Sequence, residues 1–294
     1  MKKWLLSLFS LSLLLLTGCQ HEAKKDDTFQ IATTFYPLYY FTKEIVKDKA
    51  EVTMVTPNNM EPHDYEPSAK TMSHIEDSAL FIYNSPDLET WVPTVKKTLT
   101  EDSDVTIVKA SENIPLIKGE HGADPHVWLD PVLAKKEVQT ITQAVIHKDP
   151  RHREFYEKNS QQLQQRLDRL NHDYQTATAH AKQRTFVAQH AAFTYLAKQY
   201  HLKQQAIAGL DPEQEPSPKE LSHIEALMKK EHLNVIYVES QASDKVAHTV
   251  KQATGAKLLT LNTLESLSKE EQQHGANYFT VMQENLQHLK QSLQ

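Results

Sequence analysis

The sequence predicts an α/β protein of two parallel-sheet lobes joined by one long rigid helix. Short apolar runs alternate with amphipathic stretches in the first half, and the same alternation returns after residue 184. Between the halves lies a charged segment with helical leucine spacing and neither glycine nor proline. Strand–helix–strand alternation is the pattern of a parallel sheet covered on both faces. The 294 residues suffice for one large domain or two of ordinary size, and six glycines are few for a mostly β architecture built on tight turns.

In the first lobe, residues 29–150, strands are expected at 29–35, 51–57, 79–84 and 104–110. Helical patterns fill 38–48, 67–78 and 86–101, and a further helix over 131–148 stops at Asp149, because a residue before proline avoids the helical region. The linking segment, 151–183, carries Leu163, Leu167 and Leu170 on one helical face among charges and glutamines. At about 1.5 Å per residue it would approach ~48 Å, longer than a small domain is wide. It therefore reads as a spar shared by two lobes.

The second lobe, 184–294, repeats the pattern, with strands at 185–189, 203–209, 234–240 and 256–262 and helices over 192–200, 217–232, 243–254 and 269–293. Ser217-Pro218 with Glu220 has the composition of a helix start.

Ahead of the first lobe, Lys2 and Lys3 precede the apolar run "WLLSLFSLSLLLL" and then "TGCQ". A basic start, an apolar stretch of this length and small residues before a cleavage point predict a removable export signal, residues 1–18. Leu16-Thr17-Gly18-Cys19 resembles a bacterial lipobox, which implies lipidation of Cys19 and anchoring at the extracellular face of the cell membrane. Cys19 is the only cysteine, so no internal disulfide can form. The polar stretch 19–28 reads as a tether. Loss of Lys2 and Lys3 with the signal would take the net charge from −6 to −8, which argues against a nucleic-acid partner.

Of sixteen histidines, most lie on polar helix patterns and read as solvated surface residues. Three differ. His63, in "NNMEPHDYEPSAK", sits between Pro62 and Pro67 after the second strand; His126, in "ADPHVWLDP", follows the fourth; His190, in "VAQHAAF", follows the first strand of the second lobe. Ligands of open α/β sheets bind beyond the carboxyl ends of strands. Imidazole suits zinc, four-coordinate zinc wants one more donor, and Glu265 in "LNTLESL" follows the last strand. The competing reading is that all four are polar loop residues at the lobe ends.

Taken together, "HDYEPSAKTMSHIEDSALFIYNSPDLETWV", "DPHVWLDP", "VAQHAAFTYLAKQYHL", "GLDPEQEPSPKEL" and "LESLSKEE" resemble the zinc-binding substrate-binding lipoproteins of bacterial ABC importers, the AdcA/ZnuA-like family. The resemblance runs the length of the chain after the tether. It implies two Rossmann-like lobes, a rigid linking helix, Zn2+ as transported cargo in the cleft, and delivery by a monomer to an ABC permease and its ATPase. By the motifs, the family's three histidines fall on His63, His126 and His190 and its carboxylate on Glu265. Manganese-selective relatives carry a carboxylate where this chain has His190, so manganese is the rival cargo. The stretch "KGEHGADPH" offers only His121 in place of a long metal-collecting loop, and by the resemblance the short form, without a second C-terminal zinc-binding domain, is expected.

Two readings from other classes stand beside this one. A zinc hydrolase would keep an open metal position, and the sequence has no H-E-x-x-H, so no enzyme is expected. A surface adhesin would need a protein-binding patch, which nothing in the sequence marks. Asp64, Asp124 and Asp130 are candidates for orienting the histidines, and Trp91 and Trp128 are expected to pack beneath the cleft.

Overall fold

The computed structural model describes residues 29–58, 60–99, 103–119, 122–239 and 244–294. The first lobe runs β1 (Gln30–Thr33), α1 (Tyr36–Val46), β2 (Glu51–Met54), α2 (Ala69–Glu76), β3 (Leu80–Tyr83), α3 (Val92–Thr98), β4 (Thr106–Lys109), the short β5 (Lys118–Gly119) and β6 (Gly122–Ala123), and α4 (Pro131–Lys148). Then α5 (Arg153–Thr178) leads to β7 (Thr185–Ala188), α6 (Thr194–Gln199), β8 (Lys203–Ala206), α7 (Pro218–Glu231), β9 (Val235–Val238), α8 (Lys245–Thr254), β10 (Lys257–Thr260), α9 (Lys269–Gln273) and α10 (Tyr278–Ser292).

Each lobe holds a four-stranded parallel sheet, in the orders β2-β1-β3-β4 and β10-β9-β7-β8. Numbered within its own lobe, each reads 2-1-3-4, so the two lobes share one topology. Such a sheet has its switch point between strands 1 and 3, and a ligand crevice opens there beyond the carboxyl ends. The fully buried β3, "LFIY", shows why these runs form strands: with both faces covered, every position is apolar.

The 26-residue helix α5 buries Tyr156, Leu163, Leu167, Leu170 and Tyr174, a stripe at helical spacing. Each such side chain contributes roughly 1.5–3 kcal/mol on burial. The stripe packs on α1 and α4 of the first lobe and on α10 of the second. A second brace was not legible in the sequence: Tyr278 of α10 packs 4.8 Å from Phe41 of α1, and its hydroxyl donates to the Trp128 carbonyl at 2.6 Å. One hydrophobic core therefore runs through both lobes, from Ile31 and Phe41 through Trp128 and Leu167 to Phe186 and Leu286.

Two local expectations need correction. The helix expected over 269–293 is two helices. Gly275 takes the left-handed region at φ 88°, and the Asn277 side chain then caps α10 by accepting from the backbone of Phe279 and Thr280. The helix expected from residue 86 begins at Val92, because Glu89 is turned inward to accept from the backbone of Asn84 and Ser85 at 2.9 Å each. The β5–β6 hairpin was not foreseen. Ser217 and Glu220, by contrast, form a complete capping box at the start of α7.

Candidate metal centre

His63 lies in the loop between β2 and α2. Pro62 and Tyr65 are buried on either side of it, Tyr65 standing 5.9 Å edge-on to Trp91, and Ser68 closes the loop by capping α2. The imidazole is thus pinned by neighbours packed into the lobe, and only 9% of its side chain is exposed.

His126 follows β6 and opens a 3₁₀ turn, Val127–Leu129. Asp124 Oδ1 accepts from the His126 backbone N–H at 3.0 Å and pairs with Nδ1 at 2.8 Å. In the neutral ring, a proton kept on Nδ1 would leave the Nε2 lone pair to face a metal in the cleft. Both lobes hold this loop: Asn84 donates to the Pro125 carbonyl at 2.7 Å, and Tyr195 of α6 donates to the Asp124 carbonyl at 2.7 Å.

His190 follows β7, the first strand of the second lobe, and its Nδ1 pairs with Glu239 Oε1 at the end of β9, the third. This pair occupies the second lobe's switch point. Glu265 follows β10 in a buried segment whose backbone turns at Leu264, φ 61°. A left-handed leucine costs roughly 1–2 kcal/mol. Three hydrogen bonds hold the turn: Leu264 N–H to Asn262 Oδ1 at 2.7 Å, Asn262 N–H to Asn285 Oδ1 at 2.8 Å, and Trp128 Nε1–H to the Thr263 carbonyl at 2.7 Å.

The four side chains meet. Their donor atoms all lie within 4.8 Å of one another. Glu265 Oε1 is 3.0 Å from His126 Nε2, 3.6 Å from His63 Nε2 and 3.8 Å from His190 Nε2, and the last two-histidine pair, His126 and His190, is 3.3 Å apart at Nε2. Donors at 2.0–2.1 Å from a tetrahedral centre would stand about 3.3 Å apart. Three nitrogens and one oxygen at this spacing fit a zinc ion.

The electrostatics suit a cation. Burial alone would raise Glu265, but the hydrogen bond to His126 and the nearby His63 and His190 imidazoles hold its carboxyl well below the usual range. Burial alone would lower His126; hydrogen bonds to Asp124 and Glu265 outweigh it and push the imidazole up to about 10. Burial likewise opposes the rise of His190, which the Glu239 carboxylate drives. At the rim, burial and the nearby Glu265 and Glu239 push Glu61 up to about 9.

Of the three orienting aspartates expected, Asp124 holds His126. Asp130 instead caps α4, accepting from Val132 N–H at 2.8 Å, and Asp64 is exposed. Trp128 is fully buried beside His126, ring centroids 5.2 Å apart, whereas Trp91 packs with Tyr65 and Phe81 on the outer face of the first sheet. Glu239 and Thr263 were missed. Glu239 had the signal that singled out His190, a polar side chain just beyond a parallel strand. Cys19, His21 and His121 lie outside the described residues.

Residues 31–292 match the protein family described as ZnuA, the zinc-uptake complex component A, periplasmic. The chain belongs to this family. It is 44% identical over 314 residues to the high-affinity zinc uptake system protein ZnuA of Bacillus subtilis, with 99% of this chain and 98% of that protein covered. It is 41% identical to the zinc-binding lipoprotein AdcA of Streptococcus pneumoniae, where the match takes in 99% of this chain but 61% of the longer protein. The crystal structure of the Zn(II)-bound ZnuA-like domain of that AdcA superposes with a TM-score of 0.82 at 42% identity, covering 90% of this chain and 99% of the domain.

Proposed function

We propose that this chain captures Zn2+ between its lobes, with His63, His126, His190 and Glu265 as ligands, and passes it to a membrane ABC permease driven by an ATPase. The observation that carries this reading is the convergence of three imidazole nitrogens and one carboxylate oxygen, two donors from each lobe, within 4.8 Å. The names of the relatives, zinc uptake and zinc binding, support the choice of cargo. One chain supplies all four donors, which supports the monomer as the acting unit. Glu265 supplies a fourth donor where catalytic zinc keeps an open position, which favours a carrier over a hydrolase.

A carrier must also release its cargo. Ligands split between lobes come apart with a small displacement, and α5 and α10 brace the lobes against a wide hinge. We assign the movement to the Glu265 segment, residues 261–267, whose left-handed Leu264 stores strain. We further read residues 1–18 as a signal, 19–28 as a tether lipidated at Cys19, 29–150 and 184–294 as the lobes, and 151–183 as their link. This puts the protein at the outer face of the cell membrane. Among the described residues, no helix is long and apolar enough to cross a membrane.

The test is a titration of metal-free protein with Zn2+ in competition with Mn2+. One equivalent of tightly held zinc, lost in the His126→Ala variant, is expected. Preference for manganese would transfer the reading to the manganese importers, and zinc binding that survives His126→Ala would remove the site.

A further inference from the structure

Glu265 presents its two oxygens to different partners. Oε1 faces the three imidazoles, while Oε2 accepts a hydrogen bond from the Thr263 hydroxyl at 2.9 Å. We propose that Thr263 sets the denticity of Glu265: by occupying Oε2, its hydroxyl limits the carboxylate to one metal contact and keeps the site four-coordinate, and so selective for zinc over larger oxygen-seeking cations. This rests on the zinc-capture reading above.

The hydroxyl is held in this role. Thr263 is buried, its β-branched side chain has few rotamers, and its backbone carbonyl is gripped by Trp128 Nε1 at 2.7 Å. On either side of it, Asn262 is tied to Asn285 and Leu264 to Asn262. The hydroxyl also lies 3.3 Å from Glu239 Oε2. It has one proton, and the shorter contact directs that proton at Glu265 Oε2. Glu239 is committed through its other oxygen to His190 Nδ1, so Thr263 stands between the two ligands of the second lobe and donates to only one of them.

The consequence for selectivity follows from coordination chemistry. Zinc accepts four-coordinate nitrogen-rich shells, whereas manganese suits oxygen-rich shells of higher coordination number and ranks below zinc in raw affinity. A free Oε2 would let Glu265 turn bidentate, adding an oxygen and a fifth bond without moving any histidine. The Thr263 hydroxyl opposes that turn by holding Oε2 in its present direction.

The experiment compares the full chain with its Thr263→Val and Thr263→Ser variants, using Co2+ as the spectroscopic probe and Zn2+/Mn2+ competition as the affinity measure. Wild type and Thr263→Ser should give the intense visible bands of tetrahedral cobalt. Thr263→Val should give the weaker bands of five-coordinate cobalt, and its zinc-over-manganese preference should shrink by about 10–100-fold, the range of outer-sphere changes at metal sites. Thr263→Ala removes the hydroxyl without adding a methyl group and serves the same comparison if the valine variant does not fold. Unchanged cobalt spectra and unchanged preference in the hydroxyl-less variants would overturn the proposal while leaving zinc capture intact. A wild-type protein that binds neither zinc nor cobalt would overturn both.

Discussion

Oε1 of Glu265 lies 3.0 Å from Nε2 of His126, a direct contact between the second lobe and the first. Each residue also points its donor at the other two histidines, so removing either takes away a ligand and a lobe-to-lobe contact together. His126→Ala is expected to weaken zinc by more than about 100-fold, beyond the upper end of what an outer-sphere change costs. Glu265→Gln keeps the shape and loses the charge, and should fall between His126→Ala and wild type. Calorimetric titration with a competing chelator measures both.

Asp124 tests orientation apart from coordination. Its Oδ1 receives the His126 backbone N–H and pairs with the ring at Nδ1, fixing which nitrogen faces the cleft. Asp124→Asn can still accept one of these bonds but carries no charge to raise the ring's basicity. Zinc affinity should fall by about 10–100-fold with little change in thermal midpoint. A fall in affinity matched by an equal loss of stability would mean the residue only holds its loop.

The alternation of apolar and amphipathic runs exposed both sheets, because parallel strands buried on two faces have a local signature. His63 and His126 were legible for a related reason: prolines beside a histidine beyond a strand are a local pattern. Most of what escaped was non-local. Glu239 meets His190 across forty-nine positions of sequence, and the Thr263 hydroxyl, though only two residues from Glu265, is positioned by Trp128, which comes from the other lobe to hold its carbonyl. The break at Gly275 was hidden because the helical pattern continues on both sides of it. Glu137 shares the helical face of Ala134, Val138 and Ile141, and its charge gives no sign in the sequence that it is buried with them.

Glu137 makes a stability prediction. It is fully buried in α4, neither carboxyl oxygen has a hydrogen-bond partner, and burial, with Glu89 nearby, pushes its pKa well up. The other titratable group that senses it is Tyr278. The folded protein keeps this proton where the unfolded chain, with a pKa near 4.5, has lost it. Stability from this group is therefore greatest in acid and falls as pH rises above that value. Glu137→Met removes the penalty and should stabilise the protein at neutral pH by about 1–3 kcal/mol. Urea unfolding at pH 5 and pH 8 should find the larger gain at pH 8; an equal gain at both would mean that packing, not the proton, is responsible.

Trp128 makes the prediction about release. Its ring packs 4.6 Å from Phe35, edge to face, and its Nε1–H reaches the Thr263 carbonyl across the lobes at 2.7 Å. Trp128→Phe keeps an aromatic ring in place and leaves that buried carbonyl unpaired, a cost of about 1–3 kcal/mol. If the Glu265 segment is the part that moves, this bond is what keeps it closed. Zinc should then leave the variant faster by about tenfold for each 1.4 kcal/mol of lost closure, with association little changed. Stopped-flow release into excess chelator measures the rate, and Phe35→Leu, which disturbs the same packing but spares the hydrogen bond, controls for general loosening. Equal release from wild type and Trp128→Phe would place the moving part elsewhere, in the His63 loop or in the braces formed by α5 and α10.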